Sequence, residues 1–360
     1  MAALVGILGA LVICVILWDA FETIVLPRRV TRRVRLTRFV VAYAWAVWSA
    51  LVRRIPARRP RETYLSFFGP LVVLVLLMVW AAGLIVGFGM LQWRLGSRVR
   101  DPGRLAGMGT DLYFSGTTFF TLGLGDVAPN SPAARGLVVA ESGLGFGFLA
   151  MVISYLPVLY QAFSRREVRI SMLDAWAGSP PAAGELVRRL GADACALLGP
   201  FLQEWERWSA ELLESHISYP VLAYFRSQHD NQSWLAALTA VLDVCALAIA
   251  CVEGAPVRLA ELTFAMARHA VVDLCQVLSA PPRALGTDRL SRDALAGLEE
   301  LLRAAGVPLR ADAAALGRLA ELRAMYEPYV NALSQRLLVD LPPWTAAAGA
   351  RDNWQRTAWR

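Results

Sequence analysis

The sequence predicts an all-α membrane protein, and three observations carry that fold class. The stretches Ala2 to Val25, Leu65 to Met90 and Gly136 to Tyr160 are each apolar for long enough to cross a hydrocarbon layer of ~30 Å, which takes about 20 helical residues. Hydrophobic residues make up 56% of the chain and the mean hydropathy is +0.45, too apolar for an ordinary soluble protein. Beyond Ile170 the long apolar runs give way to Ala- and Leu-rich segments of helical periodicity. These are punctuated by Gly178-Ser179-Pro180-Pro181, Ala255-Pro256, Pro281-Pro282 and Gly306-Val307-Pro308.

Residues 1–27 hold the first predicted span. It lacks the basic start and small-residue cleavage site of a signal peptide, and Asp19 and Glu22 near its end are expected at the membrane interface. Arg28, Arg29, Arg32, Arg33, Arg35 and Arg38 follow, which places this end in the cytoplasm and the amino terminus outside. The net charge of +7 therefore reads as topology and lipid contact rather than nucleic-acid binding. Arg29, Arg32, Arg35 and Arg38 also recur every third position, the spacing of a voltage-sensor helix, but the acidic multi-helix surround of a sensor is missing. Within the basic segment 28–63, Phe39 to Val52 is short for a span. It is expected to lie along the cytoplasmic interface with Trp45 and Trp48 at headgroup depth.

Residues 64–162 contain the most informative stretch. An outer helix over 65–90, opened by Ser66 and Pro70, runs from inside to outside, and a turret with Gly96, Pro102 and Gly103 follows it. A short amphipathic helix over 111–120 then leads into Thr121-Leu122-Gly123-Leu124-Gly125-Asp126. Aiming successive carbonyls at one axis requires ordinary and left-handed dihedrals in alternation, and Gly takes the left-handed ones without steric cost. Gly123 and Gly125 sit at alternate positions, so 121–126 reads as an ion-selectivity filter behind a pore helix. Carbonyls of Thr121, Leu122, Gly123 and Leu124, with the Thr121 hydroxyl, would replace the water around a bare ion. Leu122 and Leu124 would wedge the strand against the pore helix, where Thr117 and Thr118 support it, and Asp126 would anchor the outer end by hydrogen bonding. One such strand cannot surround an ion, and one copy is present, so a homotetramer is implied.

After the turn at Asn130-Ser131-Pro132, an inner helix over 136–160 returns through the membrane, and Pro157 is placed to kink it. Gly143, Gly145 and Gly147 mark either a helix contact or a gating hinge. Glu141, the one acid in this span, is expected to hydrogen-bond behind the filter. Arg165, Arg166 and Arg169 then mark the cytoplasmic exit.

The order of helix, re-entrant pore helix and filter, helix resembles the pore module of the two-helix potassium channel family. The likeness covers about a quarter of the chain, 65–160, with Tyr113 to Asp126 carrying the motif. It implies a passive potassium channel in the plasma membrane that needs no cofactor and performs no chemistry. Two positions depart from the family pattern: Leu124, where Tyr or Phe is usual, and Phe120, where a second Thr is common. Leu at the former position is similar to the second pore loop of two-pore-domain potassium channels. Loss of a bracing ring hydroxyl keeps a weakly selective cation channel open as an alternative. A potassium-uptake or signalling subunit is the other, although uptake subunits use several loops with one filter glycine each, against one loop with two here.

Residues 163–340 are expected to form a helical cytoplasmic domain, and 341–360 a loosely ordered tail. Trp234 to Val252 is apolar enough to mimic a span, but Thr239, Asp243 and its many alanines fit a buried core helix. His216, His229 and His269 are too dispersed for a metal site and are expected in surface or capping roles. His229-Asp230-Asn231-Gln232-Ser233 reads as a polar turn that caps the next helix through Ser233 or Asn231. No Gly-x-Gly-x-x-Gly follows a strand, and no nucleophile, base and oxyanion donors assemble, so neither a nucleotide site nor an enzyme is indicated. No small-molecule substrate is evident. The five Cys show no Cys-x-x-Cys and no disulfide framework, as expected of reduced cytosolic thiols.

Overall fold

The computed structural model describes residues 2–26, 35–95, 97–99, 107–229, 231–284, 288–347, 349 and 351–355. The chain divides into two compact units, one of residues 1–50 and 70–161 and one of 51–69 and 162–360. Three helices are long and apolar enough to cross a membrane.

In the first unit, α1 (Ala2–Ala20) runs on as a π-helical turn over Phe21–Val25. Its acids are paired within the fold. Asp19 is fully buried and accepts hydrogen bonds from the backbone N of Thr37 (3.1 Å), from Thr37 Oγ1 (2.5 Å) and from Trp80 Nε1 (3.0 Å). Thr37 lies in the first turn of α2 (Leu36–Val52), where amide groups have no partner within the helix, so the carboxylate caps α2 and ties it to α1 and α3 (Arg58–Leu95). Glu22 takes Trp18 Nε1 (2.9 Å) and lies 3.5 Å from Arg35 Nε. The sensor-like series is therefore committed to structure at Arg35, while Arg28, Arg29, Arg32 and Arg33 lie outside the described residues. Trp45 is buried by apolar packing within its own unit.

Two spans outrun their predicted bounds because apolar windows mark the hydrocarbon-crossing part of a helix and not its ends. The outer helix α3 begins at Arg58, so Pro70 is internal rather than at the start; Pro60 holds the first turn, where a missing amide costs little. The inner helix α5 covers Pro132–Ala177. Ser131 Oγ accepts from the Ala134 amide (3.1 Å) with proline at the first helical position, and the helix continues through Pro157. Gly178, at φ 82°, ends it. The pore helix α4 is Met108–Phe119. A two-stranded antiparallel sheet, β1 (Ser97–Val99) with β2 (Val127–Pro129), joins the segment before α4 to the one after the predicted filter. Gly96, Pro102 and Gly103 of the predicted turret lie outside the described residues.

The second unit is helical: α6 (Ala183–Leu190), α7 (Ala194–Ser218), α8 (Trp234–Ala250), α9 (Val257–Val277), α10 (Arg292–Ala304) and α11 (Ala313–Leu337). α8 is its buried centre, packed by α7, α9 and α11. Ser233 caps α8 by accepting from the Ala236 amide (3.0 Å), and Ser291 and Asp312 cap α10 and α11 in the same way. Two expectations fail in this unit. The described part of the tail, up to residue 355, is docked rather than loose: Trp344 is buried, its carbonyl accepts from the Gly184 amide (2.8 Å), and Asp352 pairs with Arg189 at 2.7 Å, while 348, 350 and 356–360 lie outside the described residues. His216 is neither on the surface nor a cap. Its Nδ1 bonds the Leu212 carbonyl (2.9 Å), which leaves Nε2 to accept from Arg166 (3.2 Å). The five Cys are all free.

Candidate functional site

The predicted filter follows α4 directly, and its backbone alternates in handedness. Thr121, Gly123 and Gly125 have φ of 56°, 55° and 76°, while Leu122 and Leu124 between them stay out of the left-handed region. Such alternation turns successive peptide planes to one side. The amides of Leu122 and Gly123 both point to the Thr117 carbonyl, at 2.7 and 3.4 Å. Each trans peptide sets its carbonyl opposite its N–H, so the Thr121 and Leu122 oxygens point away from the pore helix.

Thr117 and Thr118 are buried, and they support the strand through backbone oxygens. The Thr118 carbonyl accepts from the Thr121 amide (3.0 Å), while the Thr117 hydroxyl turns back to the Phe114 carbonyl (2.9 Å). Leu122 and Leu124 do not wedge against α4: they are 62% and 65% exposed, and Phe120 is 59% exposed. With the amides spent on α4, the side chains are directed elsewhere. Asp126 is exposed and makes no side-chain hydrogen bond among the described residues.

Behind the strand, Glu141 is fully buried on α5, and the Ser115 hydroxyl of α4 reaches both Glu141 Oε1 and the Ile85 carbonyl oxygen of α3 (2.8 Å). One polar cluster thus pins the pore helix between the outer and inner helices. Gln92, also buried, adjoins Glu141, and Phe119 packs its ring 5.7 Å from that of Phe148. Ser115, Gln92 and Phe148 escaped notice in the sequence because a lone serine, glutamine or phenylalanine in a span has no distinguishing spacing.

The three closely spaced glycines of the inner helix, Gly143, Gly145 and Gly147, are not equivalent. A Cβ at Gly145 would lie 2.0 Å from the Phe119 carbonyl oxygen, whereas one at Gly143 or Gly147 meets nothing within 4 Å. Among the described residues, no group of three or more His, Cys, Asp or Glu is arranged to hold a metal ion.

A family model described as ion channel matches residues 72–161, the stretch that holds α4, the alternating strand and most of α3 and the apolar part of α5. The curated "Uncharacterized membrane protein YdjJ" of Bacillus subtilis (strain 168) is 26% identical over 197 residues, covering 50% of this chain and 52% of that protein. The chain thus spans about half the length of the curated relative it matches. No solved structure matches it.

Proposed function

We propose, from the premise that residues 72–161 are an ion-channel domain, that the protein conducts potassium passively and selectively as a homotetramer in the plasma membrane. The single observation that carries the proposal is the alternation of left-handed dihedrals at Thr121, Gly123 and Gly125 with the amides of Thr121, Leu122 and Gly123 committed to α4. Four such strands about one axis would offer carbonyl oxygens of Thr121, Leu122, Gly123 and Leu124 to a dehydrated ion, with the Thr121 hydroxyl at the inner end. The exposure of Leu122 and Leu124 in a single chain supports assembly, because a neighbouring copy would cover them. Asp126 would stand at the outer mouth, where a ring of carboxylates concentrates cations. Gly143 and Gly147, free of close contacts, are the places where the inner helix would bend to open. The second unit, which holds Arg165, Arg166 and Arg169, would lie in the cytoplasm, where it steadies the assembly or gates the pore.

Reversal potential in a planar bilayer, with purified protein under opposed potassium and sodium gradients, tests the proposal. Reversal close to the potassium equilibrium value is expected. Reversal near zero would mean that Leu124 and Phe120 have cost the strand its discrimination, and a non-selective cation pore would replace the proposal. Gly123→Ala places a methyl group at φ 55°, which costs about 1–2 kcal/mol. It should abolish selective current while leaving membrane insertion intact.

A further inference from the structure

We propose that Gly145 is a positioning residue for the filter, the seat on which the last turn of the pore helix rests, and not a hinge. The proposal deepens the channel assignment and rests on it. A Cβ at Gly145 would fall 2.0 Å from the carbonyl oxygen of Phe119, 2.9 Å from its carbonyl carbon and 3.2 Å from its Cα. All three atoms are backbone, so no rotamer change relieves the clash; even a methyl group must push the helix end itself.

Phe119 is the final residue of α4, and the left-handed strand starts two residues later, at Thr121. The carbonyls that hold the strand, those of Thr117 and Thr118, belong to the same turn as Phe119. A shift of that turn therefore passes directly to the oxygens proposed to meet the ion.

A second grip lies one turn earlier. Ser115 and Phe119 are four residues apart on the pore helix, and so are their partners Glu141 and Gly145 on the inner helix. Residues at this spacing share one helix face, so the two helices run in the same direction with matched register, polar at one contact and bare backbone at the next. Ring packing of Phe119 on Phe148, three residues C-terminal to Gly145, closes the contact. A hinge at Gly145 would have to break this seat each time the helix bent, whereas Gly143 and Gly147 can bend or bear a methyl group at no such cost. Substitution at 145 therefore costs selectivity, where a hinge would instead change the opening probability.

The experiment compares Gly143→Ala, Gly145→Ala and Gly147→Ala in the full-length protein, with bi-ionic reversal potentials and single-channel open probability recorded in parallel. Gly145→Ala should lower the potassium-to-sodium permeability ratio about tenfold, ~1.4 kcal/mol of discrimination, with Gly143→Ala and Gly147→Ala at the wild-type ratio. An unchanged ratio in Gly145→Ala with an altered open probability would overturn the proposal in favour of a hinge. If Gly145→Ala does not reach the membrane, Ser115→Ala loosens the other grip more gently; a ratio equal to wild type there likewise overturns it. Hydrogen exchange of the Leu122 and Gly123 amides, read on the purified protein without any current, separates this proposal from the channel assignment. Faster exchange in Gly145→Ala than in Gly143→Ala is expected, and equal exchange counts against the seat even if wild-type protein conducts.

Discussion

Thr121 is a β-branched residue at φ 56°, a conformation that costs an L-amino acid about 1–2 kcal/mol and persists only where the surroundings impose it. The surroundings here are three amides turned onto the end of α4, and the result is a row of carbonyls facing away from it. Glycines at 123 and 125 advertise their backbone in the sequence, whereas a threonine does not. Glu141 acts through Ser115 at the same site. Glu141→Ala should leave the Ser115 hydroxyl without its carboxylate partner and lower the stability of the detergent-solubilised protein by about 1–3 kcal/mol, read as a drop in melting temperature. Glu141→Gln keeps an acceptor oxygen in place and should stay close to wild type. Equal melting temperatures for Ala and wild type would remove Glu141 from the support of the pore helix.

Element by element, the boundaries answer to caps and the packing answers to buried charge. α8 is apolar enough to have been a span, yet Asp243 sits fully buried within it and accepts from Arg289 Nη2 at 2.5 Å and from the Tyr326 hydroxyl. Burial, and then the Asp243 charge, push the Tyr326 phenol above its ordinary range, so it remains a donor at neutral pH. Asp243→Leu would take from the buried Arg289 guanidinium its closest carboxylate partner, leaving Glu327 at 3.5 Å. Removing one partner of a buried pair typically costs about 3–5 kcal/mol, and replacing both is often neutral. Chemical denaturation of Asp243→Leu should show a loss of that order, with much of it recovered in Asp243→Leu/Arg289→Met. A single variant as stable as wild type would mean that the pair contributes nothing.

At the scale of the whole molecule, the inner helix continues beyond the span into the second unit, where Arg166 enters a buried set of contacts. Arg166 donates to the carbonyls of Leu222 (3.0 Å) and Phe225 (2.8 Å), to Glu167 (2.9 Å) and to His216 Nε2. Burial first, and then the Arg166 charge, hold His216 well below its ordinary value of 6.5. The folded protein keeps the imidazole neutral, while the unfolded chain takes up a proton near that value. The contribution of His216 to stability is thus complete above about pH 6.5 and is lost as pH falls below it. Melting temperatures of the full-length protein between pH 8 and pH 5 should decline below pH 6.5, and His216→Gln should flatten that part of the curve. A wild-type profile as flat as that of the variant would exclude His216 as the cause.

Periodicity and glycine spacing alone were enough to specify the all-α membrane class, the three long apolar helices, the short helix α4 and the position of the alternating strand. A polar cap on α8, through Ser233 or Asn231, and α8 itself as a core helix were equally legible; the fold chose Ser233. Each of these depends on local backbone preference or on the length of an apolar run, which a sequence displays directly. Tertiary structure decided the rest. Asp19 became a buried partner because donors on α2 and α3 converge on it, and Glu22 because Trp18 of α1 and Arg35, just before α2, reach it. Leu122 and Leu124 were left uncovered because the strand spends its amides, not its side chains, on α4. Among three glycines of identical composition and spacing, only the approach of Phe119 singles out Gly145, since a backbone carbonyl brought within van der Waals distance from another helix leaves no trace in the residues on either side.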